Sequence, residues 1–174
     1  MEIETKEKIH TGLFSDIHSA DAAYQAALDR GYKREEINVL MSEDTRNKNY
    51  SSTLVKSETG DKSMEGLALG GALGGTALGI IGAVVALSTT IVVPGVGLVI
   101  AGPLAAGLVG AGAGSIAGGF VGALIGAGIP EERATIYENG IKKGEILITV
   151  SSHSDDEDNE LMKDWKKNNG KDVF

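Results

Sequence analysis

Few side chains in this sequence are equipped for chemistry, and their spacing decides what each set can do. The histidines are His10, His18 and His153. His10 and His153 lie on candidate strands that can sit side by side, and the run Asp155-Asp156-Glu157-Asp158 follows His153 closely. Imidazoles and carboxylates gathered in this way can hold a metal ion. The commoner outcome is a strand histidine at an exposed edge, and the acidic run reads better as the solvated first turn of a helix. It lacks the spacing and the glycine of a calcium loop. Ser15, Asp16 and His18 include the residue types of a nucleophilic triad, but they are too close in sequence to act as one. They read as the start of a helix.

Glycine-rich segments raise two further possibilities. A phosphate-binding loop needs glycines followed by Lys and then Ser or Thr, and Gly71-Ala72-Leu73-Gly74-Gly75-Thr76 has no lysine. Gly112-Ala113-Gly114-Ser115-Ile116-Ala117 has glycines spaced like a dinucleotide fingerprint. It follows no strand, and no acidic residue lies at the required distance. With no cysteine, the chain has neither disulfides nor thiol chemistry, which fits a reducing cytoplasm. These readings leave no catalytic residue, no cofactor, no metal and no evident small-molecule substrate, so the expected class is non-enzymatic. A small-molecule or metal-binding sensor is the third-ranked alternative.

The elements that would position these residues fall on either side of a long insert. Ile9–Phe14 reads as a strand. Ser15, Asp16 and Ser19 offer caps for a helix over Ala20–Arg30, with Gly31 just past its end. Ile37, Val39 and Met41 alternate with Asn38, Leu40 and Ser42 as a second strand. Residues 43–65 read as a polar linker. Beyond the insert, Pro130 suits the first position of a helix whose face is Ala134, Tyr137 and Ile141 and which ends at Gly144. Glu145–Val150 is a near-continuous apolar run, suited to a central strand. Ser154 caps a last helix with Leu161, Met162 and Trp165 facing inward, and Asp172-Val173-Phe174 can add a short edge strand. The expected fold class is α+β: a small ferredoxin-like sandwich, residues 1–42 and 130–174, interrupted by a glycine-rich helical hairpin at residues 66–129.

That insert is unlike the rest of the sequence. From Gly66 to Pro130 no residue is charged, and the stretch holds 19 of the 25 glycines. Soluble domains rarely leave so long a stretch uncharged, so lipid or protein must cover it. Pro94, Gly95 and Gly97 mark a turn between two segments, Gly66–Thr90 and Pro103–Gly128. As continuous helices these would each be about 37 Å long, enough for a bilayer core of about 30 Å. Gly110, Gly114, Gly118, Gly122 and Gly126 recur every fourth residue. Gly71, Gly75 and Gly79 form a similar stripe, beside Gly66, Gly70 and Gly74, which resumes at Gly82. Such faces let helices approach closely. These glycines are the candidate packing and oligomerisation residues.

The net charge of −8 argues against nucleic acid as a partner. The N-terminus is charged and has no apolar run of the kind a secretory signal needs. Two placements of the block follow. In the first, the hairpin enters the cytoplasmic membrane, both termini stay cytoplasmic, and the glycine stripes drive oligomerisation. Lys56, Lys62, Arg133, Lys142 and Lys143 would keep the flanks inside. In the second, a soluble homo-oligomer, ring or filament, buries the hairpins in shared protein, or the block folds against its own shell.

Several motifs resemble a known family. Gly12-Leu13-Phe14 before a helix, Gly31-Tyr32 and the strand Ile37-Asn38-Val39-Leu40 open the pattern. Pro94-Gly95-Val96-Gly97, Ala101-Gly102-Pro103-Leu104-Ala105 and Gly128-Ile129-Pro130-Glu131-Glu132 continue it. Tyr137-Glu138 and Gly144–Val150 close it. Over residues 9–152 the chain resembles the bacterial general stress protein 17M-like and low-temperature-induced (YflT-like) proteins. The resemblance implies a bacterial source and a stress-associated role. It supplies no activity and no catalytic residue.

Overall fold

A computed structural model describes residues 8–49, 79, 81, 82, 84, 90–93, 97–105, 119–126 and 128–174. Its centre is a mixed α+β core around a five-stranded sheet. The strands are β1 (Ile9–Phe14), β2 (Ile37–Ser42), β3 (Thr90–Val93), β4 (Leu98–Ala101) and β5 (Ile146–Ser151), in spatial order β1-β5-β2-β4-β3. Every neighbouring pair is antiparallel. β1 and β2 are therefore parallel to each other, with β5 between them. The apolar run at Glu145–Val150 is central as expected, one residue shifted, and all of Ile146–Val150 is buried.

Helices cover both faces. α1 (Ile17–Asp29) and α4 (Asp155–Lys167) lie on one side; α2 (Gly119–Gly126) and α3 (Glu131–Lys142) lie on the other. Strand alternation divides the core accordingly. Phe14, Ile37, Val39, Met41, Ile148 and Val150 meet α1 and α4, whereas Leu13, Leu40 and Leu147 meet α2 and α3. Asp16 caps α1 by accepting from the Ser19 amide at 2.9 Å, and Ser154 caps α4. Gly31 and Gly144 take positive φ just beyond α1 and α3, the left-handed turn that ends a helix. Pro130 is the cap rather than the first residue of α3. Trp165 is fully buried, and its indole N–H donates to the Ala23 carbonyl at 2.9 Å.

Residues 171–174 do form an edge segment. Thr11 and Phe174 exchange backbone hydrogen bonds, as do Leu13 and Lys171. One residue separates the partners on β1 and two on the tail, and Asp172 at φ 45° absorbs the extra residue as a bulge. The outer edge of β1 is thereby closed.

Three expectations change. Residues 43–49, read as linker, are helical. Ser42 starts them by accepting from the Thr45 amide at 3.0 Å, and Glu43 and Asp44 fall in the first turn, where negative charge is favoured. The turn of the insert is not a helical corner: β3 and β4 form a β-hairpin with Val93 opposite Leu98, and β4 pairs with β2. β-branched Ile91-Val92-Val93 favours a strand over a helix. The tip of the insert is thus part of the sheet.

The arms are not continuous helices either. Gly79, and Gly119 at the start of α2, have φ +61° and +64°, which a right-handed helix interior does not admit. Among the described residues, no helix is long and apolar enough to cross a membrane. Instead the described residues of the two arms lie on opposite faces of the sheet. Ile81 and Val84 join the core under α1 and α4, while Ala105, Phe120 and Leu124 join the core under α3.

Candidate functional site

The densest set of polar side chains surrounds Asp158, and three sequence features bring it together. Asp158 precedes Leu161 by three residues and Trp165 by seven, so all three share the inward face of α4. His10 alternates with Gly12 and Phe14 on β1 and points to that same side. Gly31, at φ +89°, turns the chain after α1 and delivers Tyr32 to the cluster.

Both oxygens of the Asp158 carboxylate are engaged, with the residue only 1% exposed. Oδ1 accepts from the Tyr32 hydroxyl at 2.6 Å and from the His153 amide at 3.2 Å. Oδ2 accepts from Ser152 Oγ at 2.5 Å and lies 2.9 Å from His10 Nε2. That last contact has the length of a hydrogen bond but not its direction. Burial pushes the Asp158 pKa up, but the donors from Ser152, Tyr32 and the His153 amide outweigh it and hold the carboxyl below the usual Asp range. Burial, together with the bond to Asp158, pushes the Tyr32 phenol well above its ordinary value. Tyr32 stacks on the His153 ring at 4.3 Å between centroids. His153 Nε2 in turn lies 3.0 Å from Glu36, whose pKa is lowered by the Lys33 amide and by His153.

This arrangement can hold elements together, but it is not set up to break bonds. The Ser152 hydroxyl donates to the Asp158 carboxylate and not to an imidazole. His10 is 3% exposed and has an oxygen at each ring nitrogen, Asp158 on one side and the Phe174 main-chain oxygen at 3.1 Å on the other. His10 and His153 address different carboxylates rather than a shared point. Among the described residues, no group of three or more His, Asp or Glu is placed to hold a metal. Ser15, Asp16 and His18 form a helix start: Asp16 is occupied by the Ser19 amide and hydroxyl.

A second feature is an open cleft of about 330 Å³ beside the 43–49 helix. Lys48, Lys142 and Lys143 line it together with Glu43 and Asp44, and Lys142 is paired with Glu138 at 2.9 Å.

The proposed packing glycines separate into groups. Gly66, Gly70, Gly71, Gly74, Gly75, Gly110, Gly114 and Gly118 lie outside the described residues, as do Pro94 and Gly95. Gly97 sits in the hairpin turn at φ +63°. Gly79 serves a close approach: a β-carbon there would overlap the Asp21 carboxylate, which accepts from the Ile81 amide at 2.9 Å. Gly82 is buried, Gly122 half-buried, and Gly126 exposed with nothing near its missing β-carbon.

Comparison of the chain with protein-family models, with curated proteins and with solved structures returned no match. The stress-protein resemblance therefore stands on its motifs.

Sequence reasoning found His10 and the acidic run but paired them wrongly, and it missed Tyr32 and Ser152. Asp158 was identifiable as the acidic residue in helical register with Leu161 and Trp165.

Proposed function

We propose that this chain is a non-enzymatic, self-associating protein in which a ferredoxin-like sandwich presents an uncharged sheet edge to other copies of itself. The order tail-β1-β5-β2 supports the ferredoxin-like part, since α1 and α4 make two crossovers on one face. The observation that carries self-association is the contrast between the two ends of the sheet. The β1 edge is closed by residues 171–174, whereas among the described residues nothing pairs with the outer edge of β3. Thr90-Ile91-Val92-Val93 has no charge, no proline and no bulge, the devices that usually keep an edge from pairing. Two copies related by a two-fold axis can continue the sheet through antiparallel β3 strands. With a net charge of −8 on each chain, an uncharged edge is also where approach costs least.

The stress-associated bacterial setting is taken from the motif resemblance. Of the two placements of the block, the protein-covered one is supported by β3 and β4 lying in the sheet and by the described arm residues Ile81, Val84, Ala105, Phe120 and Leu124 packing on its two faces. Sedimentation of the full chain tests the reading together with carbonate extraction of native membranes. The expected result is a species at a multiple of 18.0 kDa in the soluble fraction. A single-chain mass at all concentrations refutes self-association, and retention in the carbonate pellet would show lipid as the cover.

A further inference from the structure

We infer that residues 171–174 limit assembly by covering a second self-pairing edge, that of β1, so that copies joined through β3 stop at a pair. The number two rests on the proposed β3 contact; the covered edge does not. β1, Ile9-His10-Thr11-Gly12-Leu13-Phe14, contains no Asp, Glu, Lys, Arg or Pro. Like β3, it lacks the side chains that keep an edge strand from pairing with another chain. Were β1 the last strand, both ends of the sheet would be open to other copies.

The geometry of β1 suits a second copy of itself. In an antiparallel sheet, alternate residues of a strand bond to one neighbour. Thr11 and Leu13 turn their main chain away from β5. The Thr11 N–H donates to the Phe174 main-chain oxygen at 2.9 Å, and the Thr11 carbonyl accepts from the Phe174 N–H at 3.0 Å. Leu13 donates to the Lys171 carbonyl at 2.9 Å and accepts from the Lys171 N–H at 2.8 Å. Two β1 strands related by a two-fold axis at Gly12 would set Thr11 opposite Leu13 of the other copy, and so satisfy the same four groups on each chain. The residues that meet at the axis form the closer, non-hydrogen-bonded kind of pair. Both are glycine and bring no side chain to it.

Residues 171–174 occupy that edge without passing it on. Lys171 and Asp172 are charged. Asp172, at φ 45°, leaves the extended conformation, and its carbonyl accepts from the Tyr137 hydroxyl at 3.1 Å. Side chains fasten the segment as well. Lys171 Nζ pairs with Glu145 at 3.0 Å, and the Arg133 guanidinium lies 4.7 Å from the centre of the Phe174 ring. Short length, charge and a bulge are the means by which an edge is kept from pairing. Here all three are on the segment, and β1 behind it has no charge. A sheet with one closed and one open end gives a two-fold pair. A sheet with two open ends gives alternating β3 and β1 contacts, a row of copies with no closing point.

Sedimentation over a range of concentrations tests this on four chains: the full chain, the chain ending at Gly170, and Thr90→Lys with and without residues 171–174. The full chain is expected at twice 18.0 kDa. The chain ending at Gly170 should pass beyond two copies, its mass rising with concentration. Thr90→Lys should sediment as one copy, and Thr90→Lys ending at Gly170 as two, joined through β1. Circular dichroism reports whether each chain is folded. If the shortened chains are not, Lys171→Pro with Phe174→Pro in the Thr90→Lys background takes their place. It removes both amide donors of the segment, keeps its length, and should likewise sediment as two copies. A single-copy mass for the full chain refutes the β3 contact. Equal masses for Thr90→Lys with and without the segment, or a single-copy mass for the folded proline variant, overturn the covered β1 edge and leave β3 standing.

Discussion

Replacing Asp158 by alanine should be among the most damaging single changes to this fold. The substitution removes a carboxylate that is 1% exposed and that accepts from Tyr32, Ser152 and the His153 amide while facing His10. Three donors are left buried without an acceptor. Removing one partner of a buried charged network costs about 3–5 kcal/mol, a large share of a stability that for most domains is about 5–15 kcal/mol. For a chain of this length the loss corresponds to a fall in melting temperature of roughly 6–20 °C. Urea denaturation of wild type, Asp158→Ala and Asp158→Asn at pH 7 measures it. The asparagine variant should lose less, since its carbonyl can still accept from Tyr32 and the His153 amide. The pH dependence gives a second check. The folded Asp158 pKa is depressed, so its contribution is complete above the ordinary Asp value of about 3.9 and is lost as the pH falls through the folded value. The gap between wild type and Asp158→Asn should therefore narrow on acidification below about pH 4. Asp16 and Asp164, also depressed, contribute equally to both proteins and cancel. A loss below about 1 kcal/mol for Asp158→Ala at pH 7, or a gap that stays constant into acid, would refute the reasoning.

Further outcomes follow from other sites. Thr90→Lys places a charge on the open edge strand and should reduce the sedimenting mass to that of one chain while leaving the circular dichroism unchanged; an unaltered mass would exclude β3 as the contact. Gly79→Ala puts a β-carbon into the Asp21 carboxylate at a left-handed φ, and should cost at least about 1–3 kcal/mol in a denaturation midpoint. Gly126→Ala meets open space at the end of α2 and should change the stability of the single chain by no more than about 1 kcal/mol. Among the described residues the buried Tyr24 hydroxyl has no hydrogen-bond partner, and burial pushes its pKa up to about 12, so Tyr24→Phe should leave stability unchanged or raise it by about 1 kcal/mol in the same assay.

The shell was legible in the sequence because its signals are local. Asp16 and Ser154 cap helices, Gly31 and Gly144 end them, and the apolar run at Ile146–Val150 fits only a strand buried on both sides. What escaped depended on contacts far apart in the chain. Nothing near Thr90 or Leu98 indicates that β4 will pair with β2 about sixty residues earlier; the β-branched run at Ile91-Val92-Val93 indicated only that a helix was a poor choice. The candidate site failed in the same way. His10 and Asp158 are separated by almost the whole chain, so composition could place an imidazole near acidic residues but could not choose among four carboxylates. The choice is made by the inward face of α4, and Tyr32 reaches it only because Gly31 reverses the chain.

The described part of the uncharged block owes its cover to its position between β2 and β5. A hairpin inserted there can add its tip to the β2 side of the sheet and send one arm over each face, and the described residues take that course. Ile81 and Val84 reach one core, and Ala105, Phe120 and Leu124 reach the other. A bilayer-spanning hairpin would instead have to carry residues 94–97 about 30 Å from the shell, whereas their flanking strands are bonded to it through β2. At two described positions glycine serves the shell. Gly79 admits the Asp21 carboxylate, and Gly102, at φ +114°, lets the chain pass against the Ile37 carbonyl where a β-carbon would lie 2.6 Å away. Close packing is still what glycine provides, but at these positions the partner is the protein's own shell. The proposed association between copies would then fall to the sheet edge that β3 leaves open.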